Sequence, residues 1–231
     1  WYTSLDGNGI RISEGQVSGF VENTRLYAKW EGEKHTVSFD IACDEAELSP
    51  DFPAIPDHMI VSYGDTYGHA EIPDGTVPGA LPRPIRVGYS FDGWYTGRTD
   101  GTKVTDATQV LLSTDITLFA HWSANKINIS FNTYSEEELP DKQVDFGSKY
   151  GDNNQALPVP GRNGYTFAGW YTKPYNSQNP DDHGDLIEND SQVTNPSGHT
   201  LYAYWEPNSY KITFKNADGR VDMEVLFGRS V

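Results

Sequence analysis

Cysteine occurs once in the 231 residues, at Cys43, so no internal disulfide can close. That scarcity fits a cytosolic protein or an exported bacterial one that avoids stray thiols, and cysteine alone does not choose between them. Basic side chains are few as well: 17 Lys and Arg stand against 33 Asp and Glu, a formal net charge of -16. Such a surface repels phosphate backbones, which argues against nucleic acid as a partner, and it disfavours docking on anionic lipid. No apolar run reaches the length of about 18 residues that a membrane-spanning helix needs, so no membrane insertion is expected. No signal peptide is visible. The chain opens on WYTS, which reads as the inside of a structural unit, so a stretch of a longer protein is expected.

Catalytic signatures are equally sparse. Histidines at 35, 58, 69, 121, 183 and 199 lack HExxH spacing and a cysteine partner, and neither a G-x-S-x-G elbow nor a P-loop occurs. No catalytic, cofactor-binding or metal-binding residue is therefore assigned, no cofactor is expected, and the chain reads as a non-enzyme. His121 falls where other copies of its phrase carry Lys29 and Tyr204, so a solvated strand face accounts for it. Asp181, Asp182, Asp185 and Glu188 form the densest acidic loop, but the D-x-D-x-DG order of a calcium loop is missing, and solvation explains them. Asn128-Ile-Ser and Asn189-Asp-Ser match the glycosylation sequon, a weak pattern, and Asn128 falls within an expected strand.

Aromatic rings are plentiful: 10 Phe, 14 Tyr and 6 Trp. With 22 glycines and 14 prolines scattered among them, many turns and short strands are expected, around a core that leans on rings. The rings are arranged periodically. GYSFDGWYT at 88–96 is echoed by GYTFAGWYT at 164–172, and the opening WYT continues the series. RLYAKW at 25–30, TLFAHW at 117–122 and TLYAYW at 200–205 form a second series, and every tryptophan lies in one series or the other. TVSF, NISF and KITF (36–39, 128–131, 211–214) precede VSYG, VDFG and VLFG (61–64, 144–147, 225–228). ALPRPIRVGY at 80–89 matches ALPVPGRNGY at 156–165.

The phrases define two full units, 35–122 and 126–205, a back half at 1–30 and a front half at 210–231. Alternation places Leu201, Ala203 and Trp205 on one strand face, Leu118, Ala120 and Trp122 on the equivalent one, and Leu26, Ala28 and Trp30 on a third. In the second GWYT strand the same rule puts Tyr165, Phe167, Gly169 and Tyr171 opposite Trp170. Gly93 and Gly169 are expected to mark a bulge or a close approach, with the adjacent tryptophans filling the core. ALPxPxR cannot be a central strand, because proline lacks the ladder donor, and it reads as an extended crossover.

This succession resembles the Listeria–Bacteroides repeat, the module also seen as the B repeats of internalin-type proteins. The resemblance implies small mostly-β, β-grasp-like (ubiquitin-like) units in tandem, exposure on or secretion from a bacterial cell, and roles as a spacer, stalk or adhesive module. The loops at 71–79 and 173–190 vary between units and are the candidate contacts for a protein or glycan ligand. Short linkers at 31–34, 123–125 and 206–208 are expected to give an extended rod. Neighbouring repeats, of the same chain or another copy, are the expected partners. A head-to-tail filament, in which the half-units complete each other, is one alternative. An ancillary carbohydrate-binding module of a secreted enzyme, using tyrosines such as Tyr202 and Tyr204, is another. Either orphan half should expose aromatic surface if left unpaired.

Overall fold

The computed structural model describes residues 1–15, 19, 23–43, 55–152, 155–176, 178–179, 182–216 and 219–228. Among them the regular structure is strand, apart from a 3-10 turn at Tyr67–His69. The first full repeat supplies β1 (Lys34–Asp40), β2 (His58–Ser62), β3 (Tyr89–Tyr95), β4 (Lys103–Val104) and β5 (Ile116–Ala124). Its sheet runs in the order β2-β1-β5-β3-β4. The second supplies β6 (Lys126–Asn132), β7 (Lys142–Asp145), β8 (Tyr165–Tyr171), β9 (Leu186–Ile187) and β10 (His199–Pro207), ordered β7-β6-β10-β8-β9. The two orders are the same. In each sheet the first and last strands pair in parallel at the centre, Val37 beside Ile116 and Ile129 beside His199; β2 lies antiparallel to β1, and in the second sheet β7 lies antiparallel to β6 and β8 to β10. β11 (Ser209–Asn216) and β12 (Gly219–Leu226) form a lone antiparallel hairpin.

The described residues fall into two compact units. One takes in the described residues of 1–46, 50–84 and 92–121; the other takes in those of 85–91 and 122–231. In the first, Val37, Met59, Val61, Trp94, Leu118 and Val110 are almost wholly buried. In the second, Ile127, Ile129, Trp170, Val193, Leu201 and Ala203 form the centre, and Phe131, Phe167 and Trp205 pack against them. Most of these are positions at which the phrases coincide. Phe39 lies 4.7 Å from Trp94 and Phe131 lies 4.8 Å from Trp170, centroid to centroid, so even the aromatic contact is copied.

The prolines of the crossover have a use that their missing donor conceals. The carbonyl of Pro82 accepts the indole N–H of Trp94 at 2.6 Å, and that of Pro158 accepts the N–H of Trp170 at 2.8 Å. A buried indole would otherwise leave its donor unpaired, at a cost of about 1–3 kcal/mol. The crossover itself is fixed by a phrase that the tryptophan series hides, DATQV at 106–110 and NDSQV at 189–193. Asp106 Oδ1 accepts the Leu81 N–H and Asn189 Oδ1 accepts the Leu157 N–H, both at 2.7 Å. Val110 and Val193 then receive the N–H of Gly64 and Gly147 on their carbonyls.

Two strand-parity expectations need correction. The pairing of β10 with β8 slips between Tyr204 and Trp205, which face Gly169 and Phe167. Gly169 there has a φ of 146°, and Gly93 in the first repeat has 132°, a left-handed region where a side chain is strained. The bulge swings Phe167 toward Trp170, with ring centroids 5.3 Å apart, so the two share the core instead of opposing each other. The second correction concerns Leu26, Ala28 and Trp30. No strand forms there, only an isolated bridge between Tyr2 and Tyr27, and Trp30 is 90% exposed. The strand partners that bury the equivalent Leu118 and Leu201 are β1 and β6, and residues 1–30 contain no matching segment.

Candidate interaction surfaces

The most regular feature outside the two cores is a joint that occurs twice within the second compact unit. At Gly164 the backbone φ is 78°, and a Cβ added there would run into the ring of Phe227. At Gly88 the φ is 77°, and a Cβ would run into the ring of Phe146. Glycine is thus required for two reasons, the left-handed turn and the ring lying over it. Tyr165 meets Phe227 edge-on at 5.5 Å, and Tyr89 meets Phe146 edge-on at 5.6 Å. The arginine of ALPxPxR backs each tyrosine, Arg162 at 4.2 Å and Arg86 at 3.8 Å from the ring centroid.

A single asparagine ties each joint together. Asn125 donates its N–H to the Gly88 carbonyl at 2.9 Å and accepts the Phe146 N–H at 2.9 Å. Its side-chain oxygen accepts the Ser90 hydroxyl at 2.7 Å. Asn208 makes the same contacts with Gly164 and Phe227, both at 2.9 Å. Its side-chain oxygen accepts the Thr166 hydroxyl at 2.7 Å. The expectation of plain linkers at 123–125 and 206–208 misses these contacts. The available signal was an asparagine three residues after Trp122 and again after Trp205.

The residues singled out from sequence do not converge. His35 is buried beside Val61, and its Nε2 has no hydrogen-bond partner among the described residues. His58 opens β2. His69 Nδ1 pairs with Asp65 at 2.7 Å and draws that carboxyl below its ordinary value. His121 is half-buried, stacked on Tyr95 at 4.0 Å with Nε2 on the Gly97 carbonyl, a more occupied position than a solvated strand face. His183 lies 4.1 Å from Tyr204, and His199 Nε2 is 2.6 Å from the Tyr150 hydroxyl. The acidic loop is dispersed: Asp182 pairs with Lys173 at 2.7 Å, and Asp181 lies outside the described residues. Among the described residues no group of three or more His, Cys, Asp or Glu is placed to hold a metal ion. Asn128 donates to Asp141, and Asn189 is engaged at Leu157. Tyr202 and Tyr204 are half-buried, the first stacked near Tyr134 at 6.3 Å and the second flanked by Tyr171 and His183.

Exposed apolar surface gathers instead on the half-units. Trp1 is 65% exposed, and with Ala28, Lys29 and Trp30 it lines a shallow hollow of about 260 Å³. On the hairpin, Tyr210, Phe214, Val221 and Met223 are all exposed.

A chain that builds one sheet twice, with the same joint after each, is a tandem repeat protein. The sequence signature of the Listeria-Bacteroides repeat domain matches residues 61–121 and again 128–204, and the chain belongs to that family. A protein of Evansella cellulosilytica, named as a Gly-rich membrane protein, is 29% identical over 91% of this chain but only 20% of its own length. A second protein of that organism, named as a membrane protein, is 28% identical over 89% of this chain and 26% of its own length. Internalin H of Listeria monocytogenes is 37% identical over 38% of this chain and 15% of its length. The chain therefore spans about a quarter or less of the curated relatives it matches. Among the described residues no helix is long and apolar enough to cross a membrane.

Proposed function

We propose that this chain is a non-enzymatic repeat region of a bacterial surface or secreted protein, serving as a spacer that carries other parts of the protein away from the cell. The observation that carries this reading is the exact reuse of the joint, with the same three asparagine contacts after each full repeat. A linker pinned at three points restricts hinge motion, which is what a spacer needs and what a set of independent domains lacks. The family membership and the internalin relative support the surface location. Spin labels placed on β5 and on β11 test the spacer role by pulsed electron resonance. A single narrow distance distribution is expected, and a broad one would remove it.

Adhesion through the loops at 173–190 is compatible with this role, and the spacer does not require it. The exposed half-units favour a second reading, completion in trans. Trp1 occupies the place of Trp94 and Trp170, and Phe214 that of Phe39 and Phe131, so the two exposed rings are the halves of a contact formed in both full repeats. Sedimentation velocity across a concentration series tests it: growth into longer species supports filament assembly, and a constant monomer removes it. A glycan role is less supported, because Tyr202 and Tyr204 are half-buried with aromatic neighbours beside them.

A further inference from the structure

The joint has a third socket, and it is open. Tyr63 stands in VSYG where Phe146 stands in VDFG and Phe227 in VLFG. Its N–H donates to the Glu33 carbonyl at 2.8 Å, as those of Phe146 and Phe227 donate to Asn125 and Asn208. Glu33 follows Trp30 by three residues, as Asn125 follows Trp122 and Asn208 follows Trp205. Yet the Tyr63 ring is 52% exposed, and no ring or cation packs on it among the described residues. The Glu33 N–H, whose counterparts bind the glycine carbonyl, has no acceptor among the described residues.

We infer that the exposed face of Tyr63 with Glu33 is a docking surface, and that its occupant is an Arg-x-Gly-Tyr-Ser/Thr turn of another repeat of this kind. Every group the turn needs is present. The Tyr63 ring covers the glycine and meets the edge of the incoming tyrosine, as Phe146 and Phe227 do. The Glu33 N–H reaches the glycine carbonyl. The Glu33 carboxylate accepts the Ser or Thr hydroxyl, replacing the asparagine oxygen with a charged and stronger acceptor. Any repeat residue bearing a side chain in place of the glycine is excluded by the ring. The two turns of this chain are already covered, by Phe146 and Phe227, so a second copy offers no open turn and the occupant is a repeat whose turn is vacant. This docking follows from the joint geometry and stands whether or not the array acts as a spacer.

The test grafts residues 126–169 ahead of Trp1 in the full chain, so that Trp1 follows a GYTFAG phrase as Trp170 does. Nitration of Tyr63 by tetranitromethane, read by peptide mass mapping, is expected to slow in the extended chain. The unextended rate is expected to return when the grafted turn carries Gly164→Val. Tyr63 nitrated at the unextended rate, with Trp1 and Trp30 emission shifted to the blue to show that the added repeat folded, would overturn the docking. A second variant needs no graft. If tyrosine suits this socket, Phe146→Tyr leaves the thermal midpoint of the chain unchanged while Phe146→Ala lowers it; an equal fall in both would also overturn it.

Discussion

Trp170 and Trp1 are each followed by Tyr-Thr, yet the first is 2% exposed and the second 65%. The difference lies in what the chain sets around them. Trp170 has Phe131 from the first strand of its sheet, the Pro158 carbonyl from the crossover and Phe167 from its own bulged strand. Residues 1–30 contain a Trp strand phrase and an LYAxW phrase but neither the first strand nor the crossover. An aromatic phrase is therefore a half-contact. Its burial is decided by segments dozens of residues away, which is why the same letters give a keystone in one place and an exposed ring in another.

The sharpest way to break this comparison is at the tryptophans. Trp170→Ala is expected to cost the second repeat about 3–5 kcal/mol, whereas Trp30→Ala costs under about 0.5 kcal/mol. Guanidinium titration followed by tryptophan emission measures both; equal effects would mean that burial does not separate the full repeats from the half. Gly88→Ala tests the joint next. The strained backbone and the displaced Phe146 ring are expected to cost about 1–3 kcal/mol, seen as a lower thermal midpoint. The same change at Gly75, whose Cβ would meet nothing within 4 Å, pays only for its φ of 84° and is expected to cost less.

A smaller effect separates the two full repeats. His35 occupies the position of Ile127, which is 2% exposed, and its buried Nε2 is unpaired among the described residues. His35→Ile is expected to stabilise the first repeat by about 1–2 kcal/mol, since the desolvated nitrogen is removed and apolar contact is gained. Calorimetry showing a lowered midpoint would contradict that. Acid gives the least. Asp222 is held below its ordinary 3.8 by hydrogen bonds from Arg220, Lys211 and Thr213, and Asp182 by Lys173. A folded value below the unfolded one stabilises above pH 3.8 and is lost as pH falls through the folded value. The hairpin and the Lys173–Asp182 pair should therefore loosen slightly below about pH 4, measurable by amide exchange.

The sheets were legible because each anchor is spelled twice. Val37 and Ile129, Trp94 and Trp170, Leu118 and Leu201 could be aligned on spacing alone, and the crossover role of ALPxPxR followed from its prolines. The side of Phe167 was not legible, because alternation counts residues and a bulge removes one from the count. The joint was hidden for a different reason. Gly88, Asn125 and Phe146 lie far apart in sequence, and none is unusual by itself. Only the second set, Gly164, Asn208 and Phe227, shows that the three belong together.

The central parallel pair has a mechanical consequence. β6 and β10 point the same way and lie side by side, so the start of the second sheet and its end emerge at opposite ends of one hydrogen-bonded ladder. A pull on the two ends loads all of those bonds at once, in shear, where an antiparallel pair tugged at its open end would unzip one rung at a time. Resistance of this kind is a matter of unfolding rate and not of equilibrium stability. A domain this small can therefore hold under tension better than its size alone would allow.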